Sequence, residues 1–521
     1  RACEGHSDRS GGQNLLLRGI GCRARVYEAG HNGGGQPGCC FDRPGNALLF
    51  IRALAGPGCA APTSIGADLS HPRAALFAAL IGVLVPATAS AVEFRLDGFY
   101  RFRGEVYDTL SLNREEANSE GPRDFMSHRL RVIPHLRLNN NVHVYMDLDL
   151  MDVLKFGGNP EILAATGQTQ ATGELFNEPV ALTQSSLPGS DYRESLVLRR
   201  AWAELYTPYV DFKVGRMGNH WGMGLLANDG NCAMTCDYGD TVDRLMISTS
   251  ALDPVRLSFA FDTRAEGFIN RDDDAHSFLL TGGYMGEVHQ GGAWVRWTRQ
   301  PINGLNLVHG DIYGRTKLGP LSMELEALIQ WGQATSTDIG VEDLNILAGG
   351  GAFDAELAIS PWAVGLQVGV ATGDATPEDN TWNTLTLDRD HDIGLLMFEQ
   401  PMPVFQFGDA ATLENGNVDT SQVVTGEGVS NAVYIQPRFT FDIKDNLEVG
   451  ILASFAFPLM PEAFGLTDPS VYGAEIDVHA AWTLFGNFEI GGRAGFFIPG
   501  PVFEPYMDFA FGGELRALVH F

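Results

Sequence analysis

The chain has 521 residues, 45% of them hydrophobic, 10% aromatic and 19% charged. Acids outnumber bases 64 to 35, giving a formal charge of −29, which excludes a nucleic-acid binder built on a basic face. Sixty-two Gly and 31 Phe among so few charges argue against disorder. No apolar stretch of ~18 residues in the body of the chain offers a helical membrane span. At ~150 residues per domain the length allows three or four domains, or equally one large β-barrel. A soluble all-β protein and a transmembrane β-barrel remain.

The first ninety residues differ from the rest. Cys3, Cys22, Cys39, Cys40 and Cys59 fall there among scattered Gly, Pro and Arg, and no Met precedes Met126. His71-Pro72-Arg73 leads into an apolar run from Ala74 to Val85, which exits through Pro86-Ala87-Thr88-Ala89-Ser90-Ala91. A basic residue, an apolar core and an A-x-A exit describe a secretory signal cleaved after Ala91, with a buried helix as the plainer alternative. The expected division is 1–70 as an upstream extension outside the mature protein, 71–91 as signal peptide and 92–521 as the barrel. A cysteine-rich metal domain in 1–70 is disfavoured, because no C-x2-C pair occurs there. Residues 92–521 keep only Cys232 and Cys236, and an exported chain meets an oxidising compartment, so a small loop disulfide is expected.

From Val92 onward the dominant period is two. Met507, Phe509, Phe511, Gly513, Leu515, Ala517, Val519 and Phe521 share one face, with Asp508, Glu514, Arg516 and His520 on the other. Phe94, Leu96, Tyr100 and Phe102 oppose Glu93, Arg95, Asp97, Arg101, Arg103 and Glu105 in the same way. Such alternation is a strand with one apolar and one polar face. In an outer-membrane barrel the apolar face meets lipid and the polar face lines a lumen.

Runs of this kind fall near 92–107, 125–138, 142–155, 194–206, 210–225, 243–251, 255–266, 276–287, 292–300, 305–317, 321–334, 344–359, 362–373, 431–442, 447–458, 471–484, 488–498 and 506–521. They number eighteen, and most exceed the ~5–6 residues of soluble sheets. Short turns such as Asn139-Asn140-Asn141, Thr207-Pro208-Tyr209 and Lys444-Asp445-Asn446 alternate with longer loops at 156–193, 226–242 and 374–430. The expectation is therefore an all-β fold: a transmembrane antiparallel β-barrel in the bacterial outer membrane, surrounded by lipid. Around Gly291-Gly292 and Asn303-Gly304 the strand limits are weak, so sixteen strands are the alternative count.

Parity places Arg95, Asp97, Arg101 and Arg103 inward on the first strand, and Arg129, Arg131, His135 and Arg137 inward on the second. Asp147, Asp149, Arg200, Lys213, Arg438, Glu475, Asp477, Arg493 and Arg516 continue the pore-lining set. Basic residues crowd the first two strands and acids the later ones, and segregated charge across a water-filled channel makes a transverse field. The plainer alternative is that these residues only solvate and brace the wall through ion pairs.

A terminal aromatic on a last amphipathic strand, Phe521, is similar to the assembly signal of bacterial outer-membrane barrels. Leu198-Arg199-Arg200-Ala201-Trp202-Ala203-Glu204-Leu205 followed by Phe212-Lys213-Val214-Gly215-Arg216-Met217 resembles paired strands of bacterial porins and of the alginate-export family. Val370-Ala371-Thr372-Gly373-Asp374 with Asp379-Asn380-Thr381-Trp382-Asn383 resembles the entry to a long external loop of that family, an 18-stranded barrel. The resemblance implies a passive outer-membrane pore for small polar or anionic solutes, working without a cofactor, alone or as a homo-oligomer.

Other chemistry is thin. Asp272-Asp273-Asp274 and Asp388, Asp390 and Asp392 offer oxygen ligands for Ca²⁺ but lack EF-hand spacing. Ser127-His128, and His220 with Ser248, are the candidates for an outer-membrane hydrolase, a reading disfavoured because such enzymes are smaller barrels. A third class is a structural or adhesive barrel, closed by the 374–430 loop folding inward.

Overall fold

The computed structural model describes residues 92–114, 122–155, 197–249, 251–265, 274–301, 304–336, 341–376, 379–400, 402, 428–466 and 469–521. The expected 1–70 extension, the 71–91 signal, the 156–193 loop and Asp272-Asp273 lie outside them.

Among the described residues nineteen strands form one sheet. They are β1 (Glu93–Asp108), β2 (Arg123–Arg137), β3 (Val142–Lys155), β4 (Val197–Tyr206), β5 (Val210–Gly218), β6 (Thr241–Thr249), β7 (Val255–Ala265), β8 (Ala275–Met285), β9 (His289–Gln300) and β10 (Leu305–Leu318). There follow β11 (Leu321–Ser336), β12 (Val341–Ile359), β13 (Trp362–Ala371), β14 (Thr381–Trp382), β15 (Ala432–Lys444), β16 (Leu447–Pro458), β17 (Gly473–Leu484), β18 (Phe488–Pro499) and β19 (Ala510–His520). The two-residue β14 lies parallel on β12 as an appendage; β13 pairs directly with β15. The other eighteen pair antiparallel in sequence order, and β19 returns to β1 from Phe99↔His520 to Asp108↔Phe511. The result is a closed eighteen-stranded barrel with no free edge.

The stretch where the strand count was weakest is settled by register. β8 and β9 pair across Gly283↔Gly292 and β9 continues onto β10, so both belong to the wall and the count is eighteen, not sixteen. One boundary differs usefully. The strand expected over 210–225 ends at Gly218, and Asn219–Leu225 turns away from the wall with Gly222 and Gly224 at φ +60° and +82°, backbone that glycine adopts without strain.

The barrel is inside out relative to a soluble protein. Leu245, Phe259, Leu280, Val295, Ile312, Ile329, Val364, Ile451 and Val478 point outward and are exposed, whereas Arg101, Arg129, Arg131, Asp149, Asp262 and Glu475 are buried inside. Trp297 and Trp331 near the long-loop end, and Tyr209, Trp362 and Trp482 near the short-turn end, are exposed aromatics in the positions of interfacial girdles. Water would penalise such an exterior, and lipid removes the penalty at about 25 cal/mol per Å² of apolar surface. The molecule is a closed β-barrel whose exterior suits a membrane.

The apolar core lies inside the barrel, not between sheets. Leu385, Leu387, Ile393, Leu395, Leu396, Met397, Phe398 and Met402, all between β14 and β15, pack against Ala348, Ala352, Ala371, Ala432, Ala456 and Ala510 on the wall. Small wall residues there leave the space that the loop fills.

Candidate functional site in the lumen

Two segments enter the lumen and are held by the wall's charged groups. The first is 219–240, between β5 and β6. Arg101, Arg103 and Arg129 project from β1 and β2 onto it. Arg101 forms an ion pair with Asp237 and donates to the Cys236 carbonyl at 3.0 Å. Arg103 Nη1 reaches Asp237 Oδ2 at 2.6 Å, and Arg129 donates to the carbonyls of Cys236 and Asp237 at 2.9 and 2.6 Å. Arg200 donates to the Asp229 carbonyl and lies 3.1 Å from Asp147. Burial alone would raise the Asp237 carboxyl, but the three guanidinium groups outweigh it and hold that carboxyl well below the usual range. Within this segment Cys232 and Cys236 are joined as a disulfide, Cα–Cα 5.2 Å.

At its start the same segment is fixed to the opposite wall. Trp221 Nε1 donates to Asp311 Oδ1 at 2.9 Å, Met223 N–H donates to the Glu326 carboxylate, and Arg244 bridges Asn219 at 2.9 Å and Asp262 at 2.6 and 2.8 Å. Any side chain at position 222 would run into Glu326, which accounts for glycine there.

The second is 379–400. The Glu475 carboxylate, fully buried, accepts the backbone N–H groups of Leu395, Leu396 and Met397 at 2.6, 2.8 and 2.7 Å. Gln436 donates to the Ile393 carbonyl at 2.7 Å, and His391 meets the Tyr434 hydroxyl at 2.7 Å. The two segments also hold each other: Asp390 Oδ1 accepts N–H from Asp237 and Tyr238 at 2.9 and 3.2 Å, and Asp388 N–H donates to Leu225. Burial pushes the Asp388 carboxyl up to about 8, raises that of Asp390, and lowers His391 to about 4.

Toward the short turns the lumen opens into a cavity of roughly 230 Å³. Eight Asp and Glu side chains border it against four Arg, namely Arg315, Arg438, Arg493 and Arg516. Each of these arginines is paired: Arg315 with Glu324 (3.1 Å), Arg438 with Asp354 (2.5 Å), Arg493 with Asp477 (2.5 Å) and Arg516 with Glu514 (3.5 Å).

Of the pore-lining set expected from parity, Arg438, Arg493 and Arg516 border this cavity, with Asp477 behind Arg493. Arg95, Asp97 and Arg137 sit at the short-turn rim, where Arg95 meets Asp97 at 2.9 Å and Arg137 meets Glu93 at 3.6 Å. His135 stacks on Tyr145 (4.2 Å between centroids), Tyr145 on Trp202 (5.0 Å), and Lys213 pairs with Glu204 at 2.8 Å. The remainder face inward beneath a cover. Arg101, Arg103, Arg129, Arg131, Asp147, Asp149, Arg200 and Glu475 face inward but are buried, because the infolded segments, or each other, take their charge. Arg131, for example, is bidentate on Asp149 at 2.7 and 2.9 Å. Parity predicted the face and could not predict the cover. Sequence reasoning missed Asp237 and Arg244: the inward position of Arg244 was legible, but Asp237 lies on a loop with no local signal, and Asp390, an oxygen ligand in the sequence reading, instead joins the two segments.

Two further expectations are resolved. Ser127 and His128 fall on opposite faces of β2: Ser127 is buried inside, and His128 meets Tyr100 at 3.4 Å, so they form no nucleophile–base pair. Ser248 bonds Ser258 at 2.8 Å, and His220 lies 3.7 Å from Asp229. Asp388 and Asp390 spend their carboxylates on backbone N–H groups, and among the described residues no group of three or more His, Cys, Asp or Glu is arranged to hold a metal.

No protein-family model and no curated protein matches the chain. Solved structures similar to it include Pseudomonas aeruginosa OccK9 (OpdG), at 11% identity over 82% of this chain and 98% of that one, TM-score 0.48. Pseudomonas aeruginosa OccK2 (OpdF) in complex with glucuronate is 10% identical over 82% and 96%, TM-score 0.47, and Acinetobacter baumannii OccAB2 8% over 82% and 98%, TM-score 0.46.

Proposed function

We propose that this barrel is a passive outer-membrane channel for small polar solutes, narrowed by the 219–240 and 379–400 segments. The observation that carries this reading is the pairing of a lipid-compatible exterior with a charge-lined cavity inside a closed wall. Diffusion down a gradient needs no cofactor and no catalytic group. The arginines that would favour anions, Arg101, Arg103 and Arg129, are spent on the 219–240 segment, and the cavity left open is bordered by more carboxylates than bases. Salt cations are therefore expected to pass more readily than salt anions in the resting barrel.

Single-channel recording of the purified protein in a planar bilayer tests the reading. Stepwise current with a reversal potential of cationic sign in a KCl gradient supports it. A folded, heat-modifiable barrel that passes no current overturns it in favour of a loop-plugged barrel, a second reading supported by the number of wall groups that grip the two segments.

A further inference from the structure

Near the short turn that joins β2 to β3, two histidines and a tyrosine converge on the inner wall. His135 lies opposite Tyr145 and Arg137 opposite His143, so His135, His143 and Tyr145 share one inward patch. His135 Nε2 stands 3.2 Å from His143 Nδ1, and that same nitrogen stands 3.3 Å from the Tyr145 hydroxyl. An imidazole nitrogen carries either one hydrogen or one lone pair. Nδ1 of His143 can therefore satisfy one of these two neighbours and not both.

The spacing suits a different occupant. Two ligand atoms each about 2.1 Å from one metal ion, at angles of roughly 90–109°, stand about 3.0–3.4 Å apart. Both contacts of His143 Nδ1 fall in that range. The donors are also firmly mounted. The His135 ring stacks on Tyr145 with 11° between planes, and Tyr145 stacks on Trp202 with 13°. Tyr145 shares a hydrogen bond with Tyr206, whose own hydroxyl donates to Glu204. Ligands carried on paired strands and locked by stacking need little rearrangement to receive an ion. Nor does the local charge oppose a cation: Arg95, Arg137 and Lys213 are matched by Asp97, Glu93 and Glu204 at 2.9, 3.6 and 2.8 Å.

We propose that His135, His143 and Tyr145 bind one transition-metal ion, Cu²⁺ more tightly than Zn²⁺. Imidazole nitrogens select such ions over Mg²⁺, and water completes the coordination. Short turns face the periplasm in barrels of this type, which puts the site at the periplasmic mouth of the lumen. The binding does not rest on the channel reading.

The test uses the full-length, untagged barrel in detergent, titrated with CuCl₂ and followed by electron paramagnetic resonance. ZnCl₂ and MgCl₂ are compared by isothermal titration. The first equivalent of Cu²⁺ should show hyperfine splitting from two nitrogens, and Zn²⁺ but not Mg²⁺ should give saturable heat. His135→Gln and His143→Gln should each leave one nitrogen and weaken binding at least tenfold. Tyr145→Phe, which keeps the stack and removes the oxygen, should weaken it about threefold, and His128→Gln, on the outer face, should change nothing. A first equivalent without nitrogen splitting, a spectrum unchanged in both histidine variants, or equal binding of Mg²⁺ and Zn²⁺ would overturn the site and leave a hydrogen-bonded histidine pair. The wild-type spectrum decides without any variant, and a barrel that passes no current still answers the question.

Discussion

Arg103 and Asp237 are 134 residues apart in sequence and 2.6 Å apart in the lumen. The pair joins the first wall strand to the tip of an infolded segment, and Arg101 and Arg129 close on the same place. Four charged groups from three elements thus settle where the 219–240 segment lies.

Asp237→Asn should release that segment. Removing one partner of a buried ionic cluster costs about 3–5 kcal/mol, here set against the anchoring of a segment and not against the barrel itself. Larger single-channel conductance and a shift of reversal potential toward anions are the expected outcomes, since three guanidinium groups become available to solutes. Unchanged conductance and selectivity would mean that the cluster does not position the segment.

Glu475 makes a separate prediction. Three backbone N–H groups share one carboxylate, so Glu475→Ala orphans all three at ~1–3 kcal/mol each before relaxation. Faster proteolytic cleavage within 379–400 is expected, with Glu475→Gln intermediate because an amide oxygen still accepts. Cleavage kinetics by mass spectrometry report the order of the three proteins.

The 379–400 segment should also loosen in mild alkali. Asp388 is pushed up to about 8 by burial, so the folded state binds its proton more tightly than the unfolded chain does. Stability from this group is complete below an ordinary carboxylate pKa of ~4 and is lost as pH rises through about 8. His391, lowered to about 4, acts at the other end: its contribution fades as pH falls from ~6.5 toward 4. Proteolytic protection of the segment at pH 9 should be weaker than at pH 6.5, and Asp388→Asn should abolish that difference.

The outward face gives a control outside the lumen. Ile329 is an exposed apolar residue of β11, and Ile329→Lys at the lipid face should destabilise the barrel by about 2–4 kcal/mol. Urea titration of folding into lipid vesicles measures it, and no change would contradict the orientation of the wall.

The wall was legible in the sequence because its signal is local: alternation at period two marks both the strand and its faces, as along Phe94–Phe102 and Phe509–Phe521. The interior was not. Whether Arg101 looks into water or onto the Cys236 carbonyl depends on a segment more than 130 residues away, whose own residues show no periodicity. The strand expected to continue to Leu225 failed for a related reason. Apolar residues at the end of that run would equally suit lipid, yet Trp221 and Leu225 pack inside. Glu475 looked like one more lumen acid, and nothing near it in the chain names the N–H groups it would receive.

The arginines of β1, β2 and β4 grip the 219–240 segment largely through its peptide carbonyls, at Asp229, Gly230, Cys236 and Asp237. Main-chain oxygens are the same whatever side chain they accompany. Thr235, which borders the cavity and meets Arg103 only through its carbonyl, can therefore change while the mounting stays in place. The segment is in effect an interchangeable filter cartridge, and new solute preferences can be installed by rewriting its open face without redesigning the wall that seats it.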